Sequence, residues 1–534
     1  TQQHGLIFQH RTGATGKQFM PEIMCGGAAL VDFNGDGRLD AYLTNGTENL
    51  PAYDSSTQWT NQLLPQGNNA HFAPAVGMGA TDAGYGMGVA VADVNRDGRI
   101  DIFVTNYGPD RLYINEGEFS FRDASQDALP PLDGWSASAA FLDYDRDGWL
   151  DLYITRYLDN SSPKSCKDRA GRPNYCSPQA FPPAPDVLLR NVEGKRFEDV
   201  SHASGIRTVA AAAGLGVTCA DFDQDGWVDI YVANDGYPNH LWHNRGDGTF
   251  VEIGMTSRAA LNAQGSTEAG MGVVAADFDH DGWTDLFVTH LTNESNTLYR
   301  NLGGDRGFED RSMQSGLSAA SVPYTGFGTA AFDVELDGDL DLLIANGRVT
   351  RSGSPPEETP SDRVTQRFRP YAEPNHLYLN NGAGSFIRSD KCGQLCDAVE
   401  VSRGLATGDI DADGDLDVLV MQAEGPARLF RNDAPRSGDW LIIRPVVHLD
   451  GNISTPDLGA TVVVSYGQTQ QSRVISSAAG YLTAVEPVAH FGLPKGLPTV
   501  QFVVHWTDGT KESFVLDKFN QSVEIVRGSG QLQR

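Results

Sequence analysis

One nine-residue phrase, Asp-x-(Asp/Asn/Glu)-x-Asp-Gly-x-x-Asp, occurs seven times in this chain, at 32–40, 93–101, 143–151, 221–229, 277–285, 333–341 and 409–417. Side-chain oxygens at positions 1, 3, 5 and 9 can converge on a hard cation, and Gly at position 6 permits the turn that aims the position 7 carbonyl inward. A single match would be weak. Seven in register, each between two apolar runs, are not a chance pattern. The phrase predicts a metal, and its repetition predicts a repeat architecture.

The predicted ion is Ca²⁺, up to seven of them, with a structural role; Mg²⁺ fits worse because the ligands are too many and too protein-derived. The ligands are Asp32, Asn34, Asp36, Asp40 and the Arg38 carbonyl in loop 1, and Asp93, Asn95, Asp97, Asp101 and the Arg99 carbonyl in loop 2. Loop 3 offers Asp143, Asp145, Asp147, Trp149 and Asp151; loop 4 Asp221, Asp223, Asp225, Trp227 and Asp229; loop 5 Asp277, Asp279, Asp281, Trp283 and Asp285. Loop 6 offers Asp333, Glu335, Asp337, Asp339 and Asp341, and loop 7 Asp409, Asp411, Asp413, Asp415 and Asp417. Glu335 makes loop 6 the furthest from the pattern.

The formal net charge is −29, and the seven loops hold 28 of the 69 acidic residues. Much of the acidity is therefore metal ligand, and the remainder argues against nucleic acid as a partner. No run approaches the roughly 18–20 apolar residues that span a bilayer. The start at Thr1 reads as a mature N-terminus with its leader removed. Of six Cys, Cys166 with Cys176 and Cys392 with Cys396 have spacings suited to short disulfides, with zinc as the rival reading. Cys25 and Cys219 read as buried thiols. Disulfides with calcium place the protein outside the cytoplasm, secreted or periplasmic.

Around each loop the same unit recurs, as in 270–276, the acidic loop, 286–289, 296–301 and a run around Phe308. Four period-2 runs per unit predict a propeller blade, and seven units predict an all-β, seven-bladed β-propeller over 1–435. The seventh unit lacks a fourth strand after 428–432, so residues 5–10 are expected to supply it and close the ring. Insertions at 156–186 and 348–374 follow second strands and so emerge on the calcium-free face. From 436 to 534 the period stops, and alternating apolar runs predict a separate, small, β-sandwich-like domain.

The blades resemble FG-GAP/VCBS repeats of integrin-like propellers. The opening Gly5-Leu6-Ile7-Phe8-Gln9-His10 followed by Pro21-Glu22-Ile23-Met24 is similar to the start of the cartilage acidic protein family. The C-terminal stretch resembles the ASPIC/UnbV domain through Leu458-Gly459-Ala460-Thr461-Val462, Ala479-Gly480-Tyr481, His490-Phe491-Gly492-Leu493 and Val504-His505-Trp506. The resemblance implies an extracellular or periplasmic Ca²⁺-binding protein. Some sugar lyases carry a similar propeller, so fold does not decide activity.

Two functions follow. The first is a monomeric binding module that presents its calcium-free face to a protein, glycan or small-molecule ligand. The second is a cofactor-independent enzyme of lyase, isomerase or cyclase type. Its acid–base candidates, expected around the axial channel under the insertions, are Glu22, Asp82, Asp235, His240, Glu268, His290, Tyr324, Arg348 and Glu400. His10, His240 and His290 could instead bind a transition metal, although no HxH or HExxH spacing supports it. Arg348, Arg351, Arg363, Arg367 and Arg369 could meet an anionic ligand or pair with nearby carboxylates. Arg245-Gly246-Asp247 reads as a hairpin turn, and N-x-Ser/Thr sites stand at Asn45, Asn160, Asn293, Asn452 and Asn520.

Overall fold

In the computed structural model, which describes residues 4–47, 59–74, 77, 79–159, 164–168, 170–351, 359–449 and 453–533, each acidic loop joins the first two strands of one sheet. Blades 2 to 6 are four-stranded and antiparallel, for example Gly214–Ala220, Asp229–Asn234, His240–Asn244 and Phe250–Glu252 in blade 4. The innermost strands pack on one another in chain order, and the seventh, Ser402–Gly408, returns against the first, Ala28–Val31. That return closes the ring of blades. Small residues make it possible. A Cβ on Gly272 would lie 2.1 Å from the Phe327 carbonyl oxygen of the next blade, and one on Gly404 would lie 2.4 Å from that of Gly26.

Ring closure departs from the expectation for residues 5–10. Only Gln9–His10 is strand, and it pairs with Gly425–Pro426, ahead of the third strand Arg428–Phe430. The Phe8 carbonyl accepts the Ala427 N–H at 3.1 Å, and Leu6 and Phe8 sink into the core beside Leu419, Met421 and Leu429. Burial of those two side chains fixes the segment where it lies, and blade 7 keeps three strands.

The C-terminal segment builds two sheets, one around Asp439–Leu449 and one around Thr461–Tyr466 and Val500–His505. It is not separate in its packing. One apolar cluster runs from Phe103, Leu112, Leu152 and Leu189 of blades 2 and 3 into Leu458, Val462, Phe491 and Trp506. In addition, the hairpin Ala478–Ala479/Thr483–Val485 enters the propeller axis, where Thr483, Ala484 and Val485 run parallel to Ala28, Ala29 and Leu30. The Leu482 carbonyl accepts the Val89 N–H, the Gly480 carbonyl accepts the Val273 N–H, and Leu482 N–H donates to Ser138 Oγ. One hairpin thus ties together inner strands of several blades.

At the end of the axis away from the acidic loops, Tyr481 meets Ile23 and Met24 of the short helix Pro21–Met24. Tyr175, Phe181, Phe368 and Tyr371 from the two insertions join the same buried cluster. Cys166–Cys176 and Cys392–Cys396 are disulfides, as their spacing suggests. Cys25 and Cys219 are free and buried, and burial pushes both thiols up to about 12. No helix among the described residues is long and apolar enough to cross a membrane.

Candidate metal-binding loops and the opposite face

All seven loops share one internal hydrogen-bond plan. The Gly N–H at position 6 donates to the position 1 carboxylate at 2.7–3.1 Å. The N–H at position 7 donates to the position 5 carboxylate at 2.8–3.3 Å. These bonds curl the chain so that oxygens from positions 1, 3 and 5 face one side. Groups of three carboxylate oxygens lie within 4.8 Å of one another in loops 3, 4, 5 and 7: Asp143, Asp145 and Asp151; Asp221, Asp223 and Asp225; Asp277, Asp279 and Asp285; Asp409, Asp411 and Asp413. In loops 1 and 2 the amides of Asn34 and Asn95 donate to Asp36 and Asp97.

Position 9 has a role beyond the ligand role expected of it. In every loop its carboxylate accepts the position 2 N–H at 3.0–3.3 Å. Its other oxygen accepts the N–H of a third-strand residue at 2.7–2.8 Å. That residue is Asn115, Asn191, Asn244, Asn301, Asn380 or Asn432, with Gln66 in blade 1. Its side-chain amide then donates to the position 2 carbonyl of the preceding blade's loop, at 2.6–2.9 Å. Gln66 reaches Ile410 and closes this circle from blade 7 to blade 1. The Asn recurs visibly at or near the end of the third strands of blades 2 to 7, but its partner lies in another blade. Asn244→Ala should cost about 2–4 kcal/mol, because the Tyr144 and Val228 carbonyls lose their donor. Chemical denaturation measures this, and a loss under about 0.5 kcal/mol would remove the clasp from the stability argument.

Burial and, secondarily, neighbouring carboxylates hold several of the loop acids high. Asp40, Asp143, Asp221 and Asp333 are pushed up to about 7, and Asp417 to about 8. Cationic side chains offset part of this: Arg190 reaches Asp145 and Asp147 at 3.0 Å, Arg300 reaches Asp279 at 2.6 Å, and His243 lies 3.4 Å from Asp223. Asp143 Oδ1, Asp277 Oδ1 and Asp411 Oδ1 are buried with no hydrogen-bond partner. Orphaned anionic oxygens aimed into an oxygen-lined loop fit a hard cation.

The sign of the pH effect follows. A carboxyl raised from about 4 to about 7 binds its proton more tightly in the folded state, so that stability is present at low pH and lost as pH rises through 7. Buried His240 and His490, pushed down to about 4, act oppositely below 6.5. In chelator, the melting temperature should therefore fall between about pH 6.5 and 8, and saturating cation should flatten or reverse that slope. Differential scanning fluorimetry across pH checks it; a rising slope in chelator contradicts the carboxylate assignment.

On the opposite face the expected open channel is filled, because Pro21–Met24, the insertions and the C-terminal hairpin pack into it. The nine candidates fall into local pairs and not one site. Glu22 is fully buried under Tyr175 at 3.3 Å. Asp82 accepts Asn106, Asp235 accepts the Tyr157 hydroxyl at 2.5 Å, and Arg348 donates to Glu373. Arg428 holds Glu400 at 2.8 Å. His240 stacks edge-on against Trp242, and Tyr324 against His376. Glu268 lies 3.6 Å from the buried His290. Among the described residues His10, His240 and His290 form no metal-ligating group, whereas His243, on the third strand beside loop 4, stands with Asp223 and Asp229. Of the five insertion arginines, Arg348 is buried, while Arg363, Arg367 and Arg369 are exposed. The Arg245-Gly246-Asp247 triplet lies in its turn, with Asp247 capping Thr249. Asn45 is buried, and Asn160 and Asn452 lie outside the described residues.

The FG-GAP-like repeat model matches residues 32–104, 93–154, 221–288 and 277–344, and the ASPIC and UnbV model matches 451–532. The chain carries FG-GAP-like repeats over 32–154 and 221–344 and an ASPIC and UnbV segment over 451–532. It is homologous to cartilage acidic protein 1 of Mus musculus, at 27% identity over 519 residues, covering 94% of this chain and 64% of the relative. The Homo sapiens protein matches at 27% identity over 94% of this chain and 63% of its own length. The chain spans less than two thirds of those relatives. Among solved structures it is similar to an Agrocybe aegerita lectin that recognises non-reducing terminal N-acetylglucosamine, with 16% identity, a TM-score of 0.38, and coverage of 70% of this chain and 88% of that one.

Proposed function

We propose that this protein is a secreted or periplasmic calcium-binding propeller, a monomer whose ions are structural and whose task is to bind a protein or glycan ligand through the face opposite the acidic loops. The observation that carries the calcium assignment is the set of buried, partnerless oxygens of Asp143, Asp277 and Asp411 inside loops whose donors are oxygen. Ions there would be held by carboxylates of positions 1 and 3 together with position 5 or 9 and would neutralise the carboxylates that burial disfavours. A binding role is supported by the axial channel, which described residues fill, and by exposed Arg363, Arg367 and Arg369 on an insertion over a rigid scaffold.

Titration of Ca²⁺ into stripped protein by calorimetry tests the first part, with several ions per chain expected and Mg²⁺ binding more weakly. Absence of heat would remove calcium from the reading. For the face, a glycan array and an affinity screen compare wild type with R363E/R367E/R369E. Hits that survive the triple change unaltered would place recognition elsewhere.

A further inference from the structure

Between the inner strands of blades 4 to 7 and the C-terminal domain, on the acidic-loop side, lies a cavity of about 420 Å³. That is the size of a small-molecule pocket, typically about 300–1,000 Å³. Its walls are mixed. Val274, Ile442 and Val488 are apolar, whereas Arg444, Arg473 and Glu486 bring charge. Two polar features stand out. Thr329 lines the cavity with its side chain fully buried and its hydroxyl without a partner. Arg473 donates to neutral acceptors: the His490 carbonyl at 3.1 Å, the Ser472 carbonyl at 2.9 Å and Gln471 Oε1 at 3.2 Å. Arg444, by contrast, is matched by Glu486. Among the described residues no carboxylate lies within salt-bridge distance of Arg473, and a guanidinium has five N–H donors.

Asp277 and Asp409, position 1 of loops 5 and 7, also border the cavity. A divalent ion in each loop engages those carboxylates. The remaining charge on the walls is then two guanidiniums against Glu486 alone.

We propose that this cavity is a binding site for a small amphipathic organic anion, its carboxylate held by Arg473 and its apolar body against the inner-strand wall. The Thr329 hydroxyl supplies a further polar contact. The proposal rests on the calcium reading for its charge balance, so anion affinity should rise with Ca²⁺, and Ca²⁺ affinity with the anion by the same factor.

The test uses the full chain loaded with Ca²⁺, and decanoate as probe, by isothermal titration calorimetry. One site is expected, with decanol at least tenfold weaker and decylamine silent. Arg473→Met should weaken decanoate at least tenfold in protein that still takes up Ca²⁺. Because Arg473 also braces neighbouring carbonyls, Ala275→Phe provides an independent variant that fills the cavity from the propeller wall and should abolish binding. Equal affinity for decylamine, no decanoate binding by protein that binds Ca²⁺, or unchanged affinity in both variants overturns the proposal. Decanoate binding by a chain that takes up no Ca²⁺ would instead retain the site and overturn the calcium reading.

Discussion

Chelating divalent cations should lower the melting temperature of this protein by on the order of 10 °C. The loops in blades 3, 4, 5 and 7 each converge three carboxylate oxygens on one small volume. Each ion present at about one hundred times its dissociation constant adds about 2.7 kcal/mol to the folded state, so four such loops approach about 11 kcal/mol. In a chain this long each kcal/mol moves the midpoint by about 1 °C or somewhat more, less than in a small domain. The effect is amplified structurally, since the position 9 carboxylates also anchor the amide circle that joins every blade to the next. Scanning calorimetry in EDTA and in excess Ca²⁺ reads the difference. Superimposable curves would mean that the acidic loops hold no stabilising ion. A calcium-restored curve with a magnesium-insensitive midpoint would support oxygen-rich, flexible coordination over a small octahedral site.

The loops were legible because all their donors lie within nine residues, so spacing alone predicts which oxygens can meet. The blades were legible for a related reason: alternating strands separated by turns pair with sequence neighbours. The disulfides of Cys166 with Cys176 and Cys392 with Cys396 are equally local. What escaped is long-range. The third-strand Asn residues stand in plain view, yet their clasp on the preceding blade appears only when blades are set side by side. Position 9 reads as one more ligand, and its two backbone hydrogen bonds make it in addition a joint between loop and third strand. The acid–base candidates were gathered around a channel assumed empty. The segment that fills it, Ser-Ser-Ala-Ala-Gly-Tyr-Leu-Thr-Ala at 476–484, carries too few large apolar residues to read as a core strand. It is small because the narrow axis admits little more than backbone. Its pairing partner, Ala28–Val31, is at the other end of the chain.

Blocking that insertion should have the second large effect, and Gly480→Val is the sharpest way to do it. Gly480 has φ of +53°, where a β-branched side chain is strained, and its Cβ would lie 2.3 Å from the Thr329 carbonyl oxygen and 2.9 Å from the Thr329 nitrogen. Neither backbone atom can retreat without opening the inner strand of blade 6. The hairpin must then withdraw, exposing Tyr481, which is fully buried against Phe327 and donates its hydroxyl to the Met24 carbonyl at 2.7 Å. Loss of a buried aromatic from a core costs about 3–5 kcal/mol on its own. To this is added the unpairing of Ala28–Leu30 from Thr483–Val485 and of the Val89 and Val273 amides. Tyr481→Ala keeps the backbone path and should show only the aromatic part. The expected result is a graded pair: a several-degree loss for Tyr481→Ala, and for Gly480→Val a larger loss with rapid proteolysis near 435–438, where the C-terminal domain joins the ring. A Gly480→Val protein that melts and resists protease like the wild type would show that the hairpin does not hold the ring together. Equal losses in both variants would assign the whole effect to the Tyr481 ring and none to the inserted strand.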